Sequence, residues 1–405
     1  MQKGLEMPTE IPVMKRRFDL DWLRVLAILV VFLFHSGRFF DQWDWHVKNP
    51  ATYAWVQTWS MFLVSWMMPL IFVISGGSLN FSLIKPGKFI KDKVLRLLVP
   101  FVVGVFSHVA LGVYLERLTH YQFSGSIVEF IPRYFQGLYG EGGNFAWMGL
   151  HLWYLLVLFV FSLLFLPLFL LLKGPAKRLT DWFGRVFALP GMVYLLALPV
   201  ICISASIDPS SILGERSWGG WSLAGYAPFF LYGFLLLAHE GLQESVKRWR
   251  WGSLALALIC TAFLASVYDQ HGGAAYGSRG YTLVNGLFGL NAWLWVLAIF
   301  GFGMRNLNFQ TPLLRRANEA VLPFYILHQT VLLGIGYYVT RWSIPDFVKF
   351  LLISASSFMI IVSLYEFLIR RINILRVLFG MKPKAEKPIA GAAVPNRTGL
   401  ETGTR

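Results

Sequence analysis

Runs of about twenty apolar residues recur from one end of this chain to the other, and nothing else in it restricts folding so severely. Each run matches the length a helix needs to cross a hydrocarbon core of about 30 Å. Ten such segments lie at roughly 20–40, 54–76, 94–116, 149–172, 185–205, 221–239, 252–268, 281–302, 319–339 and 350–368. The expected fold is therefore an all-α, polytopic membrane bundle of about ten transmembrane helices. Charged residues make up 14% of the chain, against roughly 25% in a soluble domain, and the polar intervals are too short for a sizeable water-soluble unit. The seventh segment is short and ends in DQHGGAAYGSRG, which leaves a merged or re-entrant arrangement open there.

Basic residues alternate between the two sets of loops. One set carries Lys15, Arg16 and Arg17, then Lys85 to Arg96, then Lys173, Lys177 and Arg178, and so on to Arg370 and Arg371, while the other has isolated cations such as Lys48, Arg133, Arg216 and Arg279. This positive-inside pattern predicts both termini in the cytoplasm. It also accounts for the formal charge of +15 through anionic headgroups, so membrane lipids are expected partners and nucleic acid is not. The first segment is too long for a signal peptide and begins with charged residues, so it is expected to stay in the protein. Cys202 and Cys260 have no metal-site spacing. The domain reading is a cytoplasmic segment at 1–17, a membrane domain at 18–370, and a basic cytoplasmic tail at 371–405 that is mostly disordered.

Ionisable residues at membrane depth are costly and point to function. Arg24 and His35 bracket the ten apolar residues VLAILVVFLF. On a helix they stand about 16 Å apart and within about 20° of one face. Asp21 lies on the same stripe, one turn before Arg24, and can pair with it. His35 has no such neighbour, so its partner comes from another helix or from a ligand. Arg24 either snorkels to the inner headgroups or points into the bundle, and His35 is either an interhelical hydrogen-bonder or a base. Together they place a cation near the cytoplasmic end and a proton acceptor toward the outside.

His151, His328 beside Gln329, His108 and Glu116 are further polar groups within the apolar segments, while His239 lies at an interface. Ser75, Gly76, Gly77 and Ser78 allow either close helix contact or a broken helix end with free N–H groups. The basic cluster that follows includes Lys93 and Arg96 and offers a surface for a phosphate-bearing donor, with Pro100 holding Arg96 near the start of the third segment. Aromatic outer loops, with Asp41, Asp44 and Glu141, suit either sugar rings and their hydroxyls or an interfacial belt.

The order FDLDWLRVLAILVVFLFHSG, FVISGG, KDKVLRLLVP, HLWYLLVLF and YILHQT resembles the membrane acyltransferase 3 family over about residues 18–370. WHVKNP and GLHLWYLL resemble its succinyltransferase-like, glucan-modifying branch. The resemblance implies a multi-pass O-acyltransferase of the bacterial inner membrane that moves a succinyl or acetyl group from acyl-CoA to hydroxyls of an envelope glucan or polysaccharide. It implies His35, Arg24 and His151 as catalytic, and Arg96, Lys93, Ser75 and Gly76 as donor-binding. His328, Asp44, His46, Trp153 and Glu116 are the expected acceptor contacts. No tightly bound cofactor and no metal is expected, a single catalytic module is implied, and a homo-oligomer is compatible with it. The rival reading is a transporter or flippase of a lipid-linked or sugar substrate, which would need inverted repeats or mid-depth acids that the sequence does not display.

Overall fold

The computed structural model describes residues 16–384 apart from 84, 212, 217–220 and 272–273. The expectations for the first fifteen residues and for the tail from 385 onward lie outside the described residues. The described residues are mainly helical, with a small antiparallel pairing of Glu215–Arg216 with Trp221–Ser222. Its helices are α1 (Phe18–Gly37), α2 (Ala54–Ser82), α3 (Pro86–Lys93), α4 (Val99–Val105), α5 (Val109–Thr119) and α6 (Ile127–Tyr134). There follow α7 (Trp153–Leu164), α8 (Leu166–Lys173), α9 (Lys177–Phe187), α10 (Ala197–Ser206), α11 (Leu223–Ala238) and α12 (Glu240–His271). The last are α13 (Arg279–Asn306), α14 (Pro312–Val339), α15 (Asp346–Leu364) and α16 (Asn373–Leu378).

Among the described residues six helical stretches are long and apolar enough to cross a membrane, and eight if each of two bent pairs counts as one. Each of the ten apolar segments read from the sequence falls on helix, but several are broken. The third follows α3 and runs through a π-turn at Val94–Leu98, α4 and α5. Pro100 explains the π-turn: its ring cannot donate to the carbonyl of Arg96 four residues back, and the wider turn accommodates that. His108 consequently lies at the break between α4 and α5 rather than within an unbroken span. The fourth segment bends by 49° between α7 and α8, and the fifth by 120° between α9 and α10. The seventh segment, short by hydropathy, is part of the 32-residue α12. Past 370 the chain still packs: α16 lies against α4, and buried Arg376 pairs with Glu319 of α14 at 3.1 Å.

The core is a contiguous apolar cluster in which α2 is central, packed against α1, α11 and α13. The α2–α11 crossing depends on small residues. A Cβ at Gly76 would stand 1.8 Å from the Phe230 carbonyl oxygen, and one at Gly233 would stand 2.0 Å from the Val73 oxygen. Backbone therefore touches backbone, and van der Waals contact replaces the hydrophobic drive that lipid does not supply. Gly76→Val is expected to destabilise the fold by at least about 1–3 kcal/mol, the cost of overpacking a closed contact. Thermal unfolding of the purified variant checks this; unchanged melting would show that the two helices separate freely.

Candidate active site

Arg24, near the start of α1, and His35, near its end, both meet α14. Arg24 donates to Asn318 Oδ1 at 3.3 Å and to Ser78 Oγ at 2.8 Å, and its guanidinium lies 3.5 Å from Asp21. Asp21 is shared, since Arg16 also binds it at 2.9 Å. Eleven residues on, His35 meets His328, which is ten residues beyond Asn318. The two helices thus run parallel, with polar groups paired at both ends of a separation of about 15–16 Å. Asn318 was not singled out from sequence, although its spacing to His328 nearly repeats that of Arg24 to His35.

Around Arg24 the positive charge accumulates. Lys93 and Arg96 each lie within electrostatic reach of Arg24, and Asp92 is the acid that bears on both. Lys93 sits over the Phe89 ring at 5.1 Å, and Arg96 projects from the π-turn with an exposed side chain. Ser75, one turn before Ser78, bonds the Tyr154 hydroxyl at 2.6 Å. Gly76 does not join this group. It faces α11, and because α2 continues unbroken to Ser82, the amides from Ser75 to Ser78 remain in the helix rather than free at a broken end.

Four imidazoles form a row at the other end. Ring centroids are separated by 4.9 Å from His35 to His328, 5.1 Å from His328 to His151 and 6.3 Å from His151 to His108. Backbone carbonyls assign the tautomers, because a carbonyl only accepts. Nδ1 of His35 donates to the Val31 carbonyl at 2.9 Å and also stands 3.2 Å from His328 Nε2. Nδ1 of His328 donates to the Tyr325 carbonyl at 2.5 Å, which leaves its Nε2 as the acceptor toward His35. The neutral His35 ring therefore carries its free lone pair on Nε2. His151 donates through Nε2 to the Ile326 carbonyl at 2.9 Å, and its buried Nδ1 has no partner among the described residues. The turn that carries His151 is strained: Gly149 has φ +81° and Leu150, a buried non-glycine, has φ +48°. Such a left-handed residue costs about 1–2 kcal/mol and persists only where its surroundings hold it. The Tyr325 hydroxyl donates to the His151 carbonyl and helps do so.

Beyond His35 the loop between α1 and α2 folds over the row. The Trp45 ring lies 6.1 Å from the His35 ring, and Nδ1 of His46 behind it meets the buried Glu116 carboxylate. Glu116 also accepts from Tyr139 at 2.8 Å and from Arg117 at 2.9 Å, so it is spent on protein donors and holds His46 in place. Burial and the Glu116 carboxylate push the Tyr139 phenol up, which keeps it a donor. Asp44 is exposed, with its carboxylate 3.5 Å from His120. Trp153 is buried in the core, 5.5 Å from Tyr226 and 6.3 Å from Phe72, and contributes packing.

Arg38 is a site residue that sequence reasoning passed over. It lies one turn beyond His35, binds Asp41 at 2.5 Å and the Asp44 carbonyl at 2.7 Å, and covers Trp43 and Trp45 at 5.2 and 5.9 Å. Asp41, expected to meet sugar hydroxyls, is fully buried between Arg38 and Lys48 instead. Burial lowers the Lys48 pKa and Asp41 opposes that shift. The available signal was the Arg38-x-x-Asp41 spacing at a helix end, where such a pair closes a turn.

A cation cluster at one end of a helix pair and an imidazole with a free lone pair at the other suit a general-base group transfer with an anionic donor. No group of three or more potential metal ligands occurs among the described residues. No solved structure matches the chain. A curated relative in Escherichia coli O6:K15:H31 (strain 536), named glucans biosynthesis protein C, is 27% identical over 92% of this chain and 96% of its own length. Proteins of that name in Escherichia coli K12 and O157:H7 are each 26% identical with the same coverage. Residues 17–366, which hold both ends of the α1–α14 pair and the whole histidine row, match the family's acyltransferase domain, and the chain belongs to the membrane acyltransferase 3 family.

Proposed function

We propose that this acyltransferase moves a succinyl or acetyl group from a cytoplasmic acyl-CoA donor to hydroxyls of an envelope glucan on the far side of the bacterial inner membrane. The observation that carries the reading is the α1–α14 pair, with Arg24 at one end and the free Nε2 of His35 at the other. Both termini face the cytoplasm and the chain crosses about ten times, in keeping with the alternation of basic loops. Arg24, Lys93 and Arg96 hold donor phosphates, with Ser75 and Ser78 beside them.

In the reaction, His35 Nε2 takes the proton of a sugar hydroxyl as its oxygen attacks the thioester carbonyl. The tetrahedral intermediate collapses, the C–S bond breaks, and the thiolate recovers the proton from His35 to leave as a thiol. His328 Nε2 accepts from His35 Nδ1–H and stabilises the imidazolium while it lasts, as a carboxylate does in a hydrolase triad. Trp45, held in place through its neighbour His46, lies on the acceptor side of His35, and the name of the relatives supports a glucan there.

Mass spectrometry of envelope glucans from cells with and without the protein tests the reaction. The expected result is a mass increment of about 100 for succinyl or about 42 for acetyl that disappears on deletion. Unmodified glucan in both strains, with an intermediate accumulating inside the cell, would overturn acyl transfer in favour of transport.

A further inference from the structure

A cavity of about 260 Å³ lies away from the histidine row, between α2, α12, α13 and the loop before α2. Its polar walls are uncharged: Gln57, Thr58 and Ser65 on α2, Thr261 on α12 and Asn291 on α13. No Lys, Arg, Asp or Glu is among its lining residues. The deep end is internally satisfied, since Trp295 donates to Thr261 at 2.9 Å, Thr261 to Asn291 at 3.1 Å and Asn291 to Ser65 at 3.4 Å. The end nearest the loop is not. Gln57 takes the backbone N–H groups of Gln42 and Trp43 on Oε1, at 3.1 and 3.2 Å, which assigns the other amide atom as nitrogen. Among the described residues that buried Nε2 has no partner, on a residue only 5% exposed. A buried amide donor left unpaired is costly and calls for an acceptor oxygen.

We propose that this cavity binds one uncharged sugar ring of the acceptor chain, at a site separate from the reacting hydroxyl. The inference rests on the glucan reading above. Hydroxyls and amides on three walls suit a polyol, which both donates and accepts at every position. Phe62 and Phe288 supply apolar surface for the ring faces. A phospholipid fits less well, because no cation among the lining residues meets its phosphate. The volume lies just below the range of about 300–1,000 Å³ typical of small-ligand pockets, enough for a single ring rather than an oligosaccharide. Gln57 also ties the occupant to the reaction. The loop it holds through Gln42 and Trp43 continues to Trp45, which covers His35.

Cellobiose is the probe, titrated calorimetrically into the purified full-length protein without any acyl donor. Saturable binding is expected for the wild type and for His35→Ala. Met61→Trp, which fills the cavity without removing a hydrogen bond, should weaken binding at least tenfold, and Gln57→Leu should also weaken it. Absent binding to the wild type, or equal binding to both cavity variants, overturns the proposal. So does a co-purified lipid that Met61→Trp expels from a protein that binds no sugar. Because no donor is present, the result is independent of the glucan mass measurement: cavity binding without acylated glucan would leave the site standing and remove the transfer reading. Acylated glucan without cavity binding would do the reverse.

Discussion

Replacing His35 by alanine is expected to lower acyl transfer by about 10²–10⁴-fold, the usual contribution of a positioned general base, while the protein accumulates at normal levels. The size follows from how completely the ring is prepared. Val31 and His328 both engage Nδ1, so Nε2 presents its lone pair without any change of tautomer. His328→Ala removes only the group that steadies the charged ring and should cost less. The double variant should then be no slower than His35→Ala alone, because residues that act as one unit lose their effect together. Turnover measured in membrane vesicles from cells expressing each variant decides the matter. Wild-type turnover in His35→Ala, with normal protein content, would remove His35 from the chemistry.

Asp41→Ala should be the most damaging change outside the histidine row. Asp41 is fully buried and compensates Arg38 and Lys48 together. Its loss strands two cations near the loop that carries Trp45 and His46, and breaking a buried pair by deleting one partner costs about 3–5 kcal/mol. Asp41→Asn keeps the shape and some hydrogen bonds but not the charge, so it should fall between the wild type and Asp41→Ala. Thermal unfolding in detergent reads both, and an Asp41→Ala protein that melts like the wild type would show the cluster to be a surface ornament of the loop.

Local spacing carried part of this architecture into view. Eleven residues at 100° per step put Arg24 and His35 on one face, and the pairing of Asp21 with Arg24 needed only one helical turn. What escaped depends on distance along the chain. Glu116 and His46 are 70 residues apart, and nothing near either one announces the contact by which Glu116 supports the loop. Asn318 meets Arg24 across 294 residues. The run from Ser75 to Ser78 was ambiguous for another reason. Small residues permit both a helix crossing and a helix break, and the choice was made by Gly233 on α11, whose backbone meets Val73 just as Phe230 meets Gly76. Asp41 was misjudged because an acid in an aromatic loop looks available until its cations are found, and one of them, Lys48, comes from the far side of that same loop.

Contacts at both ends of α1 and α14 also make the pair a gauge. Sliding one helix past the other by a turn would break Arg24 from Asn318 and His35 from His328 in the same movement. The stretch between charge and lone pair is therefore set by the fold, and under the proposed function a donor would be selected by the length of its arm as much as by the chemistry of its two ends.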